Sequence, residues 1–226
     1  MESLQLREQT AKFWREFYAR HNLRHDPSPF ALWCLQSQLT AKNCILELGC
    51  GNGRDSFAFM HHGLTLLAVD GCDLAIADNI EHYNQRIPQA SGQFHALNFV
   101  DLAKLIELSP QAIAQTDTVY SRFVLHAIPE DIEDIVLDFC DRLLARGGRM
   151  LHEFRTIRDP LMEQGEILSP HERLTDHYRR FIDPEVFLGK LMQRGWKVIF
   201  FTESKGLAKL GDDDPVVARV VAEKRG

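Results

Sequence analysis

The sequence predicts an α/β fold: parallel strands alternating with helices, closed by an antiparallel hairpin at the C-terminus. The apolar pattern switches repeatedly between the short runs of buried strands and the 3.6-residue period of helices. Two apolar segments, residues 198–202 and 216–222, end the chain, and the dozen or so residues that join them lack a helical pattern. Strands joined in this way pair antiparallel. The 226 residues, 45% of them hydrophobic, show no linker or repeat, so we expect a single domain over residues 1–226.

The predicted elements begin with a helical preface over residues 1–40. An aromatic stripe at helical spacing marks its first helix, and Ser28 and Pro29 suit the cap and first turn of the second. The stripe is Phe13, Trp14, Phe17 and Tyr18. We expect the stripe to dock on the core, although an aromatic lid over a ligand remains an alternative.

Strand–helix units follow the preface. The predicted strands are residues 44–48, 66–69, 93–96, 118–120 and 149–154. Helices are predicted to begin near Arg54, at Asp73 and from Pro129, because cap-forming residues and glycine stops bracket helical periods there. Residues 155–182 lack clear periodicity and are predicted to be a loop-rich insert on the substrate side. Asp183 and Pro184 then cap a last helix.

Composition excludes several classes of protein. The formal net charge is −6 and the basic residues are scattered, so the chain is not expected to bind nucleic acid. No apolar run is long enough for a membrane span, and the first residues lack the pattern of a secretory signal. The five cysteines form no C-x-x-C pair, which fits neither a disulfide framework nor a zinc site and favours a cytoplasmic location. No convincing metal site is predicted.

The most informative motif is the turn after the first predicted strand, Glu47-Leu48-Gly49-Cys50-Gly51-Asn52-Gly53-Arg54. Glycines at alternating positions let a ligand lie against bare backbone, and the helix that follows offers free N–H groups. A dinucleotide fingerprint would place its third glycine where Arg54 stands. The second strand ends in Asp70, whose carboxylate can accept hydrogen bonds from a ribose diol.

The pattern E-x-G-x-G-x-G with Asp70 resembles the cofactor site of class I S-adenosylmethionine-dependent methyltransferases. These enzymes share a Rossmann-like, doubly wound, mostly parallel sheet with a C-terminal antiparallel hairpin, which is the order of elements predicted here. Residues 47–56 are similar to bacterial branches of this family that act on small molecules or surface glycans. Residues 120–128, 206–209 and 214–217 look most like methyltransferases associated with polysaccharide biosynthesis.

The resemblance implies S-adenosylmethionine as cofactor and S-adenosylhomocysteine as product. Glu47 would orient the glycine turn and help hold the methionine amino group, Asp70 would hold the ribose, and Asn98 would border the adenine, although many relatives carry aspartate at that position. The implied cofactor-binding residues are Glu47, Gly49, Cys50, Gly51, Gly53, Arg54, Asp70, Gly71, Asn98, Phe99 and Ser121.

The same resemblance places the methyl acceptor at the end of the fourth strand. The signatures of base-amine and cytosine-C5 enzymes are missing from this sequence. His126 and His152 are the candidate catalytic residues, since imidazole titrates near neutral pH, although a histidine that packs or caps at a strand end is an equal alternative. The candidate acceptor-binding residues are Arg122, Glu153, Arg155, Tyr178 and Arg179.

The sequence therefore predicts a methyltransferase of a small-molecule or glycan-linked acceptor, with transfer to oxygen. Two alternatives stay open: a non-catalytic protein that binds the cofactor or a partner, and a nicotinamide-dependent oxidoreductase. Neither the acceptor nor the oligomeric state is predicted.

Overall fold

The computed structural model describes residues 3–20 and 26–225. The chain divides into two compact units, Met1–Thr116 and Asp117–Gly226. Of the predicted helical preface, residues 1–2 and 21–25 lie outside the described residues.

The first unit alternates helices with three strands. Its elements are α1 (Ser3–Arg20), α2 (Pro29–Ser37), β1 (Cys44–Leu48), α3 (Arg54–His61), β2 (Thr65–Asp70), α4 (Asp73–Arg86), β3 (Gly92–Ala96), a 3-10 helix (Phe99–Lys104), α5 (Leu105–Leu108) and α6 (Pro110–Gln115).

The strands of the first unit are parallel. β2 pairs with both β1 and β3, and Glu47 lies opposite Ala68 in this register. Strand residues such as Leu46 and Leu67 are almost fully buried. Continuous apolar runs are typical of parallel strands that are covered on both faces, which is why these strands could be located from the sequence.

Capping fixes the start of α2 and ties it to α3. The Ser28 side chain accepts a hydrogen bond from the Ala31 N–H at 3.0 Å, which confirms the predicted cap. The Ser28 N–H and hydroxyl in turn donate to the two carboxylate oxygens of Asp55, both at 2.7 Å. Asp55 stands in the first turn of α3, where a carboxylate complements the helix dipole.

The second unit contains the remaining strands. Its elements are β4 (Thr118–Arg122), a 3-10 helix (Leu125–Ala127), α7 (Glu130–Leu143), β5 (Arg149–Arg155), a 3-10 helix (Pro160–Glu163), β6 (Glu166–Ser169), β7 (Glu172–Leu174), β8 (Tyr178–Arg180), α8 (Pro184–Gln193), β9 (Trp196–Ser204) and β10 (Val217–Lys224).

β4 and β5 are parallel, whereas β10 runs antiparallel to both β5 and β9. The predicted C-terminal hairpin is therefore confirmed, and so is the predicted fold class: an α/β, Rossmann-like architecture with mostly parallel strands. None of the described helices is both long enough and apolar enough to cross a membrane.

The insert over residues 155–182 is more ordered than the sequence predicts. Strands β6, β7 and β8 form a three-stranded antiparallel sheet within it. Each strand has only three or four residues, which is too short for an alternating pattern to be recognised. The role of this segment on the substrate side stays a prediction.

Candidate active site

The turn between β1 and α3 is built from glycines in the left-handed region. Gly49, Gly51 and Gly53 have φ values of +69°, +52° and +73°, which side-chain-bearing residues rarely adopt. The N–H groups of Gly49 and Cys50 donate to the Val69 carbonyl on β2 at 2.8 and 3.1 Å. The turn is thus fixed to the neighbouring strand and presents bare backbone.

Asp70, at the end of β2, binds the same turn. Its carboxylate accepts hydrogen bonds from the N–H groups of Gly51 and Cys72, each at 2.8 Å. Burial raises the pKa of Asp70, while these two N–H groups oppose that shift. The sequence suggests Asp73 as the cap of α4, but Cys72 occupies the cap position and Asp73 pairs with Arg15 instead.

Asn79 on α4 is a site residue that the sequence analysis missed. Its side-chain amide donates to the Gly51 carbonyl at 2.8 Å and is buried. A Cβ atom at Gly53 would lie 2.6 Å from the Asn79 Oδ1, so the two residues also require close approach. No local motif marks Asn79, because it meets the turn only after the chain has folded back.

Glu47 is buried on β1, directly before the turn. Its carboxyl group accepts a hydrogen bond from the Ser56 hydroxyl on α3. Burial, followed by the nearby charge of Asp55, raises the pKa of Glu47 to about 8. In the ligand-free chain Glu47 is therefore mostly protonated at pH 7.

Tyr18 brings helix α1 onto the glycine turn. A Cβ atom added at Gly51 would lie 2.3 Å from the Tyr18 hydroxyl. Burial, and then the charge of Asp70, raises the pKa of Tyr18 well above its usual value. The predicted aromatic stripe is thus formed, with Phe13 stacked on Phe17 and one member of the stripe at the candidate cofactor site.

The other predicted cofactor residues of the first unit differ in their contacts. A Cβ at Gly71 would lie 3.1 Å from the Asn98 Oδ1, so these two residues are neighbours. Phe99 begins the 3-10 helix that follows β3. Cys50 is buried against Asn79. Arg54 is directed elsewhere, because its Nε donates to the Asp26 carbonyl at 2.8 Å.

In the second unit, three neighbouring strands place two arginines on one carboxylate. Arg122 on β4 and Arg219 on β10 both stand opposite Glu153 on β5. The Glu153 carboxylate accepts from Arg122 Nε at 3.0 Å and from Arg219 Nε at 2.7 Å. Burial raises the pKa of Glu153 while the two arginines oppose the shift. The sequence analysis missed Arg219, which the hairpin brings to this position.

Phe123, directly after β4, is the centre of a second group. It is the one residue other than glycine with a positive φ, +59°, in the part of the chain that the structure describes. The guanidinium carbons of Arg122 and Arg155 lie 4.3 and 5.6 Å from its ring centroid, and the His126 ring lies edge-on at 5.0 Å. A strained residue with ordered aromatic contacts is typical of a functional site.

The tautomer of His126 follows from its backbone contact. Its Nδ1 lies 3.1 Å from the Arg155 backbone N–H, which can only donate. Burial, and then the charges of Arg155, Arg179, His177 and Arg122, lower the pKa of His126 well below its usual value. His126 is therefore neutral with its proton on Nε2, and in this tautomer Nε2 donates. A role for His126 as a base stays a prediction.

His152 and Ser121 lie together, and apart from the arginine group. The Ser121 Oγ is 2.7 Å from the His152 Nδ1, and both side chains are fully buried. Burial lowers the pKa of His152 to about 3. Successive strand residues point to opposite faces, so His152 faces Phe187 of α8 while Glu153 faces away from it. The structure thus gives His152 a packing environment, and its catalytic role stays a prediction.

The remaining predicted acceptor residues are engaged in ion pairs or hydrogen bonds. Tyr178 donates its hydroxyl to Glu172 at 2.5 Å. Arg179 binds Asp176 at 2.6 Å. Arg155 binds Asp159 at 3.0 Å and also pairs with Asp213. Among the described residues, no group of three or more histidine, cysteine or acidic side chains could hold a metal ion.

Comparison with known proteins agrees with this geometry. Residues 46–150 match the family model of a methyltransferase domain. This segment runs from β1 to β5 and is a little under half of the chain. No curated protein matches the sequence.

Solved structures share the fold. An S-adenosylmethionine-dependent methyltransferase from Methanosarcina mazei has a TM-score of 0.68 at 13% identity, over 84% of this chain and 96% of that one. The glycopeptide N-methyltransferase MtfA, in complex with S-adenosylmethionine, has a TM-score of 0.62 at 16% identity, over 89% and 88%. The DhpI-SAM-HEP complex has a TM-score of 0.68 at 19% identity, over 99% and 100%. At these identities the similarity establishes the fold.

The matched segment, residues 46–150, includes the glycine turn, Asp70, Asn79, Arg122, Phe123 and His126. Other site residues lie outside it: Tyr18, His152, Glu153, Arg155, Arg179 and Arg219. The glycine turn, Asp70 and Asn79 lie in its first half. Arg122, Phe123 and His126 lie in its second half.

Proposed function

We propose that this protein is an S-adenosylmethionine-dependent methyltransferase that acts on a small-molecule or glycan-linked acceptor and transfers the methyl group to oxygen. The cofactor is S-adenosylmethionine. The single observation that carries the proposal is the turn of three left-handed glycines, tied to the Asp70 carboxylate through the Gly51 N–H.

The residues of the first unit fit this cofactor. Each Asp70 oxygen uses one lone pair on a backbone N–H, which leaves a second lone pair on each for a ribose diol. Glu47 is a buried carboxyl beside the turn, suited to an amino group. Asn98 lies beside Gly71, and we assign it to an adenine edge.

When bound, S-adenosylmethionine supplies a methyl group on a positively charged sulfur, which is already activated for transfer. The protein then has to position the acceptor and exclude water, an effect worth on the order of 7–11 kcal/mol. A general base adds roughly 10²–10⁴-fold. The carboxyl ends of β4 and β5 are where open α/β sheets bind ligands. We assign Arg122 and His126 there to the acceptor, and Glu153 to holding Arg122 in place.

A related structure supports the assignment of the protein as a methyltransferase. MtfA is a glycopeptide N-methyltransferase with bound S-adenosylmethionine.

The cysteines bear on the location of the protein. No disulfide is formed by Cys34, Cys44, Cys50, Cys72 or Cys140 in the part of the chain that the structure describes. Cysteines that do not form disulfides are typical of a reducing compartment, and we infer a cytoplasmic location.

Calorimetry with S-adenosylmethionine, S-adenosylhomocysteine and NADH tests the assignment of the cofactor. We expect binding of the first two ligands and none of NADH. Binding of NADH alone would favour the oxidoreductase. Formation of S-adenosylhomocysteine during incubation with a panel of hydroxylated metabolites and glycans then separates an enzyme from a non-catalytic binding protein.

A further inference from the structure

We propose that the acceptor carries an oxyanion group, bound by the outer nitrogens of Arg122 and by the Nε2–H of His126. This inference rests on the proposed function and names the class of its acceptor.

The guanidinium of Arg122 uses one of its three nitrogens in a hydrogen bond to Glu153. Its Nε donates to Glu153, and within residues 26–225 this carboxylate is its sole polar partner. The side chain of Arg122 is 17% exposed, whereas that of Glu153 is 0% exposed. The accessible side of this pair is therefore the cation, and its two outer nitrogens form the fork that binds oxyanions in bidentate fashion.

Two arginines share the one carboxylate of Glu153, so this buried group carries one positive charge in excess when Glu153 is ionised. Arg219 alone would neutralise Glu153, at 2.7 Å and with its side chain 7% exposed. A second arginine is not needed to satisfy the carboxylate. An uncompensated cation at a strand end costs stability unless a ligand pairs with it.

A second hydrogen-bond donor, His126, contacts the same phenylalanine ring as the Arg122 guanidinium. The Arg122 guanidinium and the His126 ring both contact the Phe123 ring, at 4.3 and 5.0 Å. His126 presents a neutral N–H through Nε2, because Nδ1 accepts from the Arg155 backbone. Arg155 and Arg179 are already paired with carboxylates, so they add to the local potential rather than binding the ligand directly.

The test uses the full chain and two probes, inorganic phosphate and acetate, titrated by calorimetry with and without saturating S-adenosylhomocysteine. We expect phosphate or acetate to bind the wild-type chain, and the stronger of the two identifies a phosphate-like or a carboxylate acceptor. Arg122→Gln should weaken that binding at least about tenfold. Arg122→Lys keeps the positive charge but loses the two-pronged guanidinium. Its affinity for the probe should lie between those of the wild type and Arg122→Gln.

The matched control is Arg142→Gln, an exposed arginine on α7, which should bind the probe as the wild type does. S-adenosylhomocysteine should bind equally well to all four proteins. Wild-type protein that binds neither probe, or probe affinity that is unchanged in both Arg122 variants, would overturn this inference while leaving the proposed function in place. Failure of S-adenosylhomocysteine to bind the wild type would instead count against the proposed function.

Discussion

The carboxylate of Asp70 accepts a hydrogen bond from the Gly51 N–H at 2.8 Å, so the end of β2 holds the turn that follows β1. The same carboxylate binds the Cys72 N–H ahead of α4. One side chain thus fixes two backbone segments that meet at the candidate cofactor site, and this contact can be tested directly.

Replacing Asp70 with asparagine should weaken S-adenosylmethionine binding at least about tenfold. An amide can accept only one of the two backbone N–H groups and turns its own NH₂ toward the other, so the turn loosens. Isothermal titration provides the measurement. Asp73→Asn is the control. Asp73 is exposed at the start of α4, so this variant should keep the wild-type affinity for S-adenosylmethionine. Equal affinity in the two variants would remove Asp70 from the site.

Binding of S-adenosylmethionine at pH 7 should release a proton from Glu47. Its pKa is about 8 in the ligand-free chain, and a nearby ammonium group favours the ionised carboxylate. Calorimetry in two buffers of different ionisation enthalpy measures the proton count. Glu47→Gln should release fewer protons than the wild type, and equal release would show that Glu47 does not meet the amino group.

The same residue predicts how the ligand-free chain responds to pH. A carboxyl whose pKa is raised on folding stabilises the native state below its unfolded value of about 4.5, and this contribution is lost as pH rises toward 8. Urea denaturation at pH 5 and pH 8 should show a smaller loss for Glu47→Gln than for the wild type. An identical loss in the two proteins would contradict the buried, protonated state.

His152 should make the chain sensitive to acid. Its pKa falls from about 6.5 to about 3 on folding, so stability is lost as pH drops through this window, at up to about 1.4 kcal/mol per pH unit. The free energy of unfolding, measured between pH 7 and pH 4.5, should decline less steeply for His152→Gln. His61→Gln on α3, where the side chain is exposed, should keep the wild-type slope.

Phe123 has a strained backbone, and its ring contacts the Arg122 guanidinium and the His126 ring. At φ +59°, alanine keeps the strain and loses the ring, whereas glycine loses both. Phe123→Gly should therefore be about 1 kcal/mol more stable than Phe123→Ala in urea denaturation. Both variants should lose phosphate or acetate binding, because Arg122 is no longer stacked. A glycine variant less stable than the alanine variant would argue against strain at this position.

Features within a single stretch of chain could be predicted from the sequence. The glycine turn, the carboxylate at the end of β2, the Ser28 cap and the C-terminal hairpin each depend on neighbouring residues or on a strand pattern. Asn79 and Arg219 could not be predicted, since each reaches its partner only through tertiary packing. Strands β6, β7 and β8 of the insert could not be predicted, because three or four residues are too few to show the alternating hydrophobic pattern of a strand.

The two histidines illustrate a further limit of sequence. His126 follows one parallel strand and His152 lies on the next. From the sequence alone the two residues therefore appear equivalent as candidate bases. Both are buried, and the neighbour of each Nδ1 separates them: a backbone N–H for His126 and a serine hydroxyl for His152. Protonation state depends on such contacts, which no spacing rule records.

The Tyr18 hydroxyl occupies the space directly above Gly51. A nucleoside that rests on this glycine would have to displace the hydroxyl, and we predict that the carboxyl-terminal turn of α1 moves with it. On this prediction α1 would gate the arrival of the ligand, so at high ligand concentration the observed association rate should approach a ceiling set by the outward movement of that turn. Stopped-flow traces would reveal this ceiling, and replacing Tyr18 with alanine should raise it.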